Sequence, residues 1–175
     1  MNLQPILEGS VSVLRPLQSS DFASLYAIAC DPLLWEQHPN PDRWQKTVFQ
    51  TFFEGAIASQ GAFLISDRLT GEVIGSSRFY GYDAEKSLVY IGYTFFGRIY
   101  WGKGVNTEVK KQMLAHAFQW VDRVHFQIGA TNYRSQIAIE RLGAKKIGEE
   151  LVAYVGEPEK VNFIYEITQS TWSGV

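Results

Sequence analysis

Apolar and polar positions along the chain follow two rhythms, one of period two and one near three and a half, and each change of rhythm marks an element. Residues 10–16 alternate Val11 and Val13 with polar neighbours, the pattern of a first strand. Ser20 or Asp21 then heads a predicted helix running to about Cys30, with Phe22, Leu25, Tyr26 and Ile28 apolar. Residues 31–42, holding Pro32, Pro39 and Pro41, read as a turn-rich loop. A second helix is predicted over 41–59 from Trp44, Val48, Phe52 and Ala56, with Pro41 in its opening turn and Gly61 past its end.

Strands are predicted over 62–66 and 72–82, joined by an Asp67–Gly71 turn, and over 88–96, where Leu-Val-Tyr-Ile-Gly-Tyr-Thr-Phe-Phe is rich in β-branched and aromatic residues. The helical rhythm returns over 107–120, with Val109, Met113, Ala117 and Val121 on one face and Leu114 and Phe118 beside it. A strand over 124–130, a short helix over 132–144 with Asn132 at its head and Gly143 at its end, and strands over 147–154 and 161–168 complete the pattern. Residues 156–159 join the last two strands, and the tail from Gln169 is expected frayed or lying along the surface.

At 175 residues the chain suits a single domain, 1–175, with its core over about 11–168. Sixteen basic against eighteen acidic residues leave a formal charge of −2, without the Lys/Arg stripe that nucleic acid requires. The one cysteine, Cys30, forms no intrachain disulfide and reads as packing, and the three histidines have no metal-ligand spacing. The first residues lack the charged head and apolar run of a signal peptide, and no run of eighteen apolar residues occurs. The expectation is a cytoplasmic protein without metal, nucleic acid or membrane partner.

Candidate chemistry concentrates at Tyr100-Trp101-Gly102-Lys103-Gly104-Val105-Asn106-Thr107-Glu108, between an apolar strand and an amphipathic helix. The first turn of a helix has backbone N–H groups without partners and a partial positive charge, so it suits an anion. Gly102 and Gly104 remove Cβ atoms that would hold a pyrophosphate away, and Lys103 adds a charge. A structural turn is the alternative. The spacing misses a nucleotide-hydrolase loop, because Gly104 stands where a magnesium-binding Ser or Thr belongs. It also lacks the third glycine of a dinucleotide fingerprint, and no βαβ unit opens the chain.

Tyr100–Glu108 followed by Lys110-Lys111-Gln112-Met113-Leu114-Ala115-His116-Ala117-Phe118 resembles the coenzyme A pyrophosphate loop and helix of the GNAT acetyltransferases, and most of all their RimJ/RimL-like branch. In the broad family signature, Q/R-x-x-G-x-G/A, the first position is Ile99 here, with Arg98 one residue early. A second stretch, Asn132-x-x-Ser135-x-x-x-Ile139-Glu140-x-Leu142-Gly143-Ala144, is similar to the helix after the fifth strand of the same branch. The resemblance implies a mixed α+β fold: a mostly antiparallel sheet of about six or seven strands, splayed in the middle and flanked by about four helices.

It further implies an acetyl-CoA-dependent N-acetyltransferase acting on a primary amine, such as a protein N-terminus or an amino acid derivative, by direct attack in a ternary complex. Coenzyme A would be held by Tyr93, Thr94, Phe95, Phe96, Arg98, Gly102, Lys103, Gly104, Val105, Asn106, Thr107 and Asn132, with Ser135 hydrogen-bonding the departing sulfur. A late Tyr that serves this purpose in many relatives is Ile139 here, and a Glu before the Ile-Gly-Tyr of the central strand is Tyr90. Glu36 and His38 are the candidate bases, and Trp35, His38, Arg78 and Tyr80 the candidate acceptor contacts. The competing hypothesis is a catalytically silent coenzyme A-binding regulatory or interaction domain. A homodimer through an exposed sheet edge is also expected to be accessible.

Overall fold

The computed structural model describes residues 1–153 and 159–172. Eight strands form one sheet: β1 (Leu7–Glu8), β2 (Ser12–Pro16), β3 (Ala62–Asp67), β4 (Val73–Asp83), β5 (Leu88–Phe96), β6 (Arg123–Gly129), β7 (Lys145–Val152) and β8 (Lys160–Thr168). Their spatial order is β1-β2-β3-β4-β5-β6-β8-β7. Every neighbouring pair is antiparallel except β5 and β6. That pair needs a crossover, and α3 (Val105–Ala117) supplies it. The other helices are α1 (Phe22–Ala29), α2 (Lys46–Ala58) and α4 (Tyr133–Glu140).

Alternation along the strands divides the apolar side chains between two cores, one on each face. Leu14, Phe63, Ile65, Phe79 and Phe96 meet α3 and α4 through Val109, Met113, Leu114 and Ile139. Ala62, Leu64 and Phe95 meet α1 and α2 through Leu25, Phe49, Phe53 and Ala56. Each such leucine-sized side chain contributes about 1.5–3 kcal/mol on burial. Neighbouring residues such as Phe95 and Phe96 thus serve opposite layers. No helix among the described residues is long and apolar enough to cross a membrane.

Several boundaries differ from those the pattern predicts. Strand β1 raises the count to eight; two residues are too short for alternation to reveal, and the pairing is held by Gly9 N–H donating to Ser12 O at 2.9 Å. Residues Pro41–Trp44 form a separate 3-10 turn capped by Asn40, and the extended Gln45 breaks the chain before α2. Trp44 is half out of the fold at 40% exposure, so it does not extend the apolar face of α2. Helix α3 starts at Val105, two residues early, because Gly104 already occupies the left-handed capping conformation. The tail is anchored along the surface, with Gln169 Nε2 donating to Phe118 O at 2.7 Å and the Trp172 ring packed at a tilt against Phe118. The predicted end of a strand at Tyr154 and the link at 156–158 lie outside the described residues.

Candidate active site

Strand β5 delivers the chain to the glycine turn, and the turn is built to start a helix abruptly. Gly102 and Gly104 take φ of +73° and +80°, a left-handed conformation that costs a residue with Cβ roughly 1–3 kcal/mol. A Cβ added at either glycine would meet no heavy atom within 4 Å, so the space before them is open to a ligand. Glu108 N–H donates back to Gly104 O at 3.0 Å, closing the first helical bond. Among the described residues no partner is bonded to the amides of Val105, Asn106 and Thr107. These three N–H groups form the cradle.

Glu108 faces away from it. Its carboxylate accepts from Val11 N–H at 3.2 Å, from the Ser12 hydroxyl and from Gln112 Nε2 at 2.8 Å. A Cβ at Gly9 would lie 1.7 Å from Glu108 Oε1, so that glycine admits the carboxylate to the β1–β2 turn. The acid thereby ties the head of α3 to the first hairpin. Trp101 fixes the other side of the turn, with Nε1 donating to Phe96 O at 3.1 Å. Lys103 is exposed at the rim, and Arg98 is paired with Asp31 at 2.5 Å on the wall of an open cavity of about 430 Å³.

Strands β5 and β6 pair only through Leu88↔Arg123, Val89↔Val124 and Tyr90↔His125. Beyond Tyr90 they diverge, and the edge of β5 from Ile91 to Phe96 faces a cleft instead of a strand. The β4–β5 register slips between Arg78↔Gly92 and Ser76↔Phe95, and Tyr93 at φ +53° is the bulged residue. The bulge therefore sits where the cleft opens. Tyr93, Thr94, Phe95 and Phe96 all lie on this edge, but Phe95 and Phe96 are buried, each in its own core.

Helix α4 flanks the far side of the cleft. Asn132 caps it, its Oδ1 accepting from Ser135 N–H at 3.2 Å, and Ser135 is half-buried. Gln136 clamps the helix to the end of β6 by donating to Gly129 O at 3.1 Å and Ala130 O at 3.0 Å. The Arg134 guanidinium lies 3.8 Å from the centre of the Trp101 ring, and the backbone N–H of Arg134 donates to Gln37 Oε1 at 3.2 Å. The second sequence stretch is thus brought onto the glycine turn and the loop after α1.

The acceptor candidates lie on the α1–α2 face. Trp35 is 2% exposed, donates its indole N–H to Ala29 O at 2.7 Å and packs on Phe95, so it offers a ligand no polar atom. Glu36 is exposed beside it. His38 is engaged on both sides: Nε2 lies 3.1 Å from Arg43 Nη1, and Nδ1 lies 2.9 Å from the Asn40 backbone N–H and 3.3 Å from Asn40 O. Burial, reinforced by Arg43, holds its pKa well below the usual imidazole value, so the ring is neutral. Arg78 is buried, stacked 4.1 Å from the Tyr93 ring and donating to Gly55 O at 3.3 Å; burial lowers its pKa. Tyr80 stands between the Tyr90 and Tyr93 rings.

Two polar groups escaped the sequence reading. Lys110 on α3 is 3% exposed and reaches the bulge; its signal was a lysine inside the apolar stripe of Val109, Met113 and Leu114. His125 and Glu166, 2.8 Å apart, form a cross-strand pair that only the β6–β8 register reveals. The described residues contain no group of three or more His, Cys, Asp or Glu side chains able to hold a metal ion.

The sheet opens between its two parallel strands, and a cradle of unbonded amides stands at the head of the crossover helix that joins them. The chain belongs to the GNAT acetyltransferase family: the family model described as an acetyltransferase (GNAT) domain matches residues 12–145. A GCN5-related N-acetyltransferase from Brucella melitensis superposes with a TM-score of 0.83 at 20% identity, covering 97% of this chain and 80% of that one. RimJ of Mycobacterium smegmatis, solved with CoA-disulfide, gives 0.72 at 19% identity over 95% of this chain and 87% of its own. RimL, a ribosomal L7/L12 alpha-N-protein acetyltransferase solved with coenzyme A, gives 0.75 at 16% identity over 95% and 99%. A comparison with curated protein sequences returned no match.

Proposed function

We propose that this acetyltransferase moves an acetyl group from acetyl-CoA to a primary amine by direct attack while both are bound. The observation that carries the reading is the set of unpartnered amides at Val105, Asn106 and Thr107, at the head of the helix that crosses from β5 to β6 where the two strands part. The residues fit the carrier: the amides and the rim charge of Lys103 suit a diphosphate, and the open space before Gly102 and Gly104 admits it. Asn132 and the β5 edge line the cleft, within which Ser135 would meet the sulfur. Acetyl-CoA supplies an activated thioester carbonyl. The chain supplies proximity and backbone donors for the oxygen along the unpaired edge of β5.

RimJ-like and RimL-like neighbours favour a protein N-terminus among the amines, and the aromatic rings of Phe52, Tyr80, Tyr90 and Tyr93 favour an acceptor with apolar surface. With His38 Nε2 held by Arg43, exposed Glu36 is the more accessible of the two expected bases. One observation favours the silent-domain reading: Ile139, where a Tyr serves the leaving group in relatives, is 4% exposed and packed in the core. Thiol release from acetyl-CoA across a panel of amines and N-terminal peptides separates the two. Acceptor-dependent release supports the transferase, and tight binding without release supports the silent domain. A second copy would add at the exposed sheet edges, β1 or β7, which sedimentation tests.

A further inference from the structure

Lys110 is the most deeply buried cation of the site. Its ammonium, on a residue 3% exposed, has no carboxylate partner among the described residues and touches hydroxyls instead. It donates to Ser77 Oγ on β4 at 3.1 Å and, more closely, to Thr94 Oγ1 on β5. Those hydroxyls lie 2.8 Å apart, and both approach Gly92 O, Thr94 at 3.4 Å and Ser77 at 3.5 Å. The network therefore encircles the bulge formed by Gly92, Tyr93 and Thr94. A core lysine without an acid is expensive to retain, and an apolar side chain would fill the same stripe.

We infer that Lys110 is a positioning residue for acetyl transfer: through Ser77 and Thr94 it fixes the bulge of β5 and places positive charge behind the unpaired edge of that strand, whose backbone N–H groups we take as the donors to the thioester oxygen. This rests on the proposed transferase reading. During transfer the amine nitrogen bonds to the carbonyl carbon and the C–S bond breaks, while the proton lost by nitrogen ends on the departing sulfur. Negative charge grows on the carbonyl oxygen between those events. While protonated, the Lys110 ammonium, held by the hydroxyls of Ser77 and Thr94 and buried from water, stabilises that charge without reorganising.

Burial alone brings the Lys110 pKa down to about 7. From β4 and β5 only the neutral hydroxyls of Ser77 and Thr94 face the ammonium, and its own helix surrounds it with Val109, Met113 and Leu114. The cation is therefore lost as pH rises through this value, which imposes an alkaline decline on turnover.

The test compares wild type, Lys110→Met, Thr94→Val and Ser77→Ala by calorimetry with coenzyme A, by thiol release with the best amine of the panel, and over pH 6 to 10. Lys110→Met is expected to bind coenzyme A within threefold of wild type and to lose roughly 10- to 100-fold in kcat. Its profile should lack the alkaline decline. Thr94→Val should show a smaller loss of the same kind. A folded Lys110→Met enzyme with wild-type kcat and pH profile would overturn the inference. If that variant does not fold, unchanged kcat in both hydroxyl variants overturns it instead. Wild type that binds coenzyme A and releases no thiol overturns the transferase reading itself, a different result from an active enzyme indifferent to Lys110.

Discussion

Trp35 and Ser135 divide the residue scale between packing and chemistry. Trp35 fills the core between α1, α2 and β5, and its removal leaves a cavity and an unpaired Ala29 carbonyl. Trp35→Ala is expected to cost about 3–5 kcal/mol in denaturant unfolding; a stable variant with only a raised acceptor KM would return the residue to substrate binding. Ser135→Ala should keep the α4 cap, which uses its backbone N–H, and lower kcat more than coenzyme A affinity. Unchanged kcat would leave Ser135 as an ordinary first-turn residue. The two glycines and Asn132 were legible in the sequence because turns and caps demand particular residues locally. Lys110 was not, since a lysine in an apolar stripe declares itself only when the opposite strands are in place.

Elements were legible where periodicity runs long. Helices α1, α3 and α4 and strands β3 to β6 follow from it, whereas β1 and the break at Gln45 depend on tertiary pairing and on a local Asn40 cap. The joint between β2 and α1 carries a pH-dependent contribution. Burial favours the neutral form of Asp21, but the Arg15 fork at 2.6 and 2.8 Å and the Gln18 N–H outweigh it and hold the pKa below the ordinary carboxylate value. That stability is present above the ordinary Asp pKa and lost as pH falls through the lowered one. Asp21→Asn should therefore lower Tm by a few degrees at pH 7. The gap should close as wild type is acidified through the lowered Asp21 pKa. A constant gap across that range would show that packing, not charge, is lost.

For the whole molecule, the sheet's divergence after Tyr90 makes everything else possible. Antiparallel order on both sides of one parallel pair places the cradle, the bulge and the capped helix around the same opening. The sequence conveyed this arrangement through family resemblance, because strand alternation alone says nothing of which neighbours part. The acceptor side stayed opaque for a physical reason: its candidates, Trp35, His38 and Arg78, are engaged with their own protein neighbours. In the proposed function the head of α3 binds the diphosphate of coenzyme A. Calorimetry of wild type against Gly104→Val tests it, with melting temperatures showing that both are folded. Wild type is expected to bind, and the variant to bind more than tenfold more weakly. Equal affinity in the two proteins, or no binding by wild type, would contradict it.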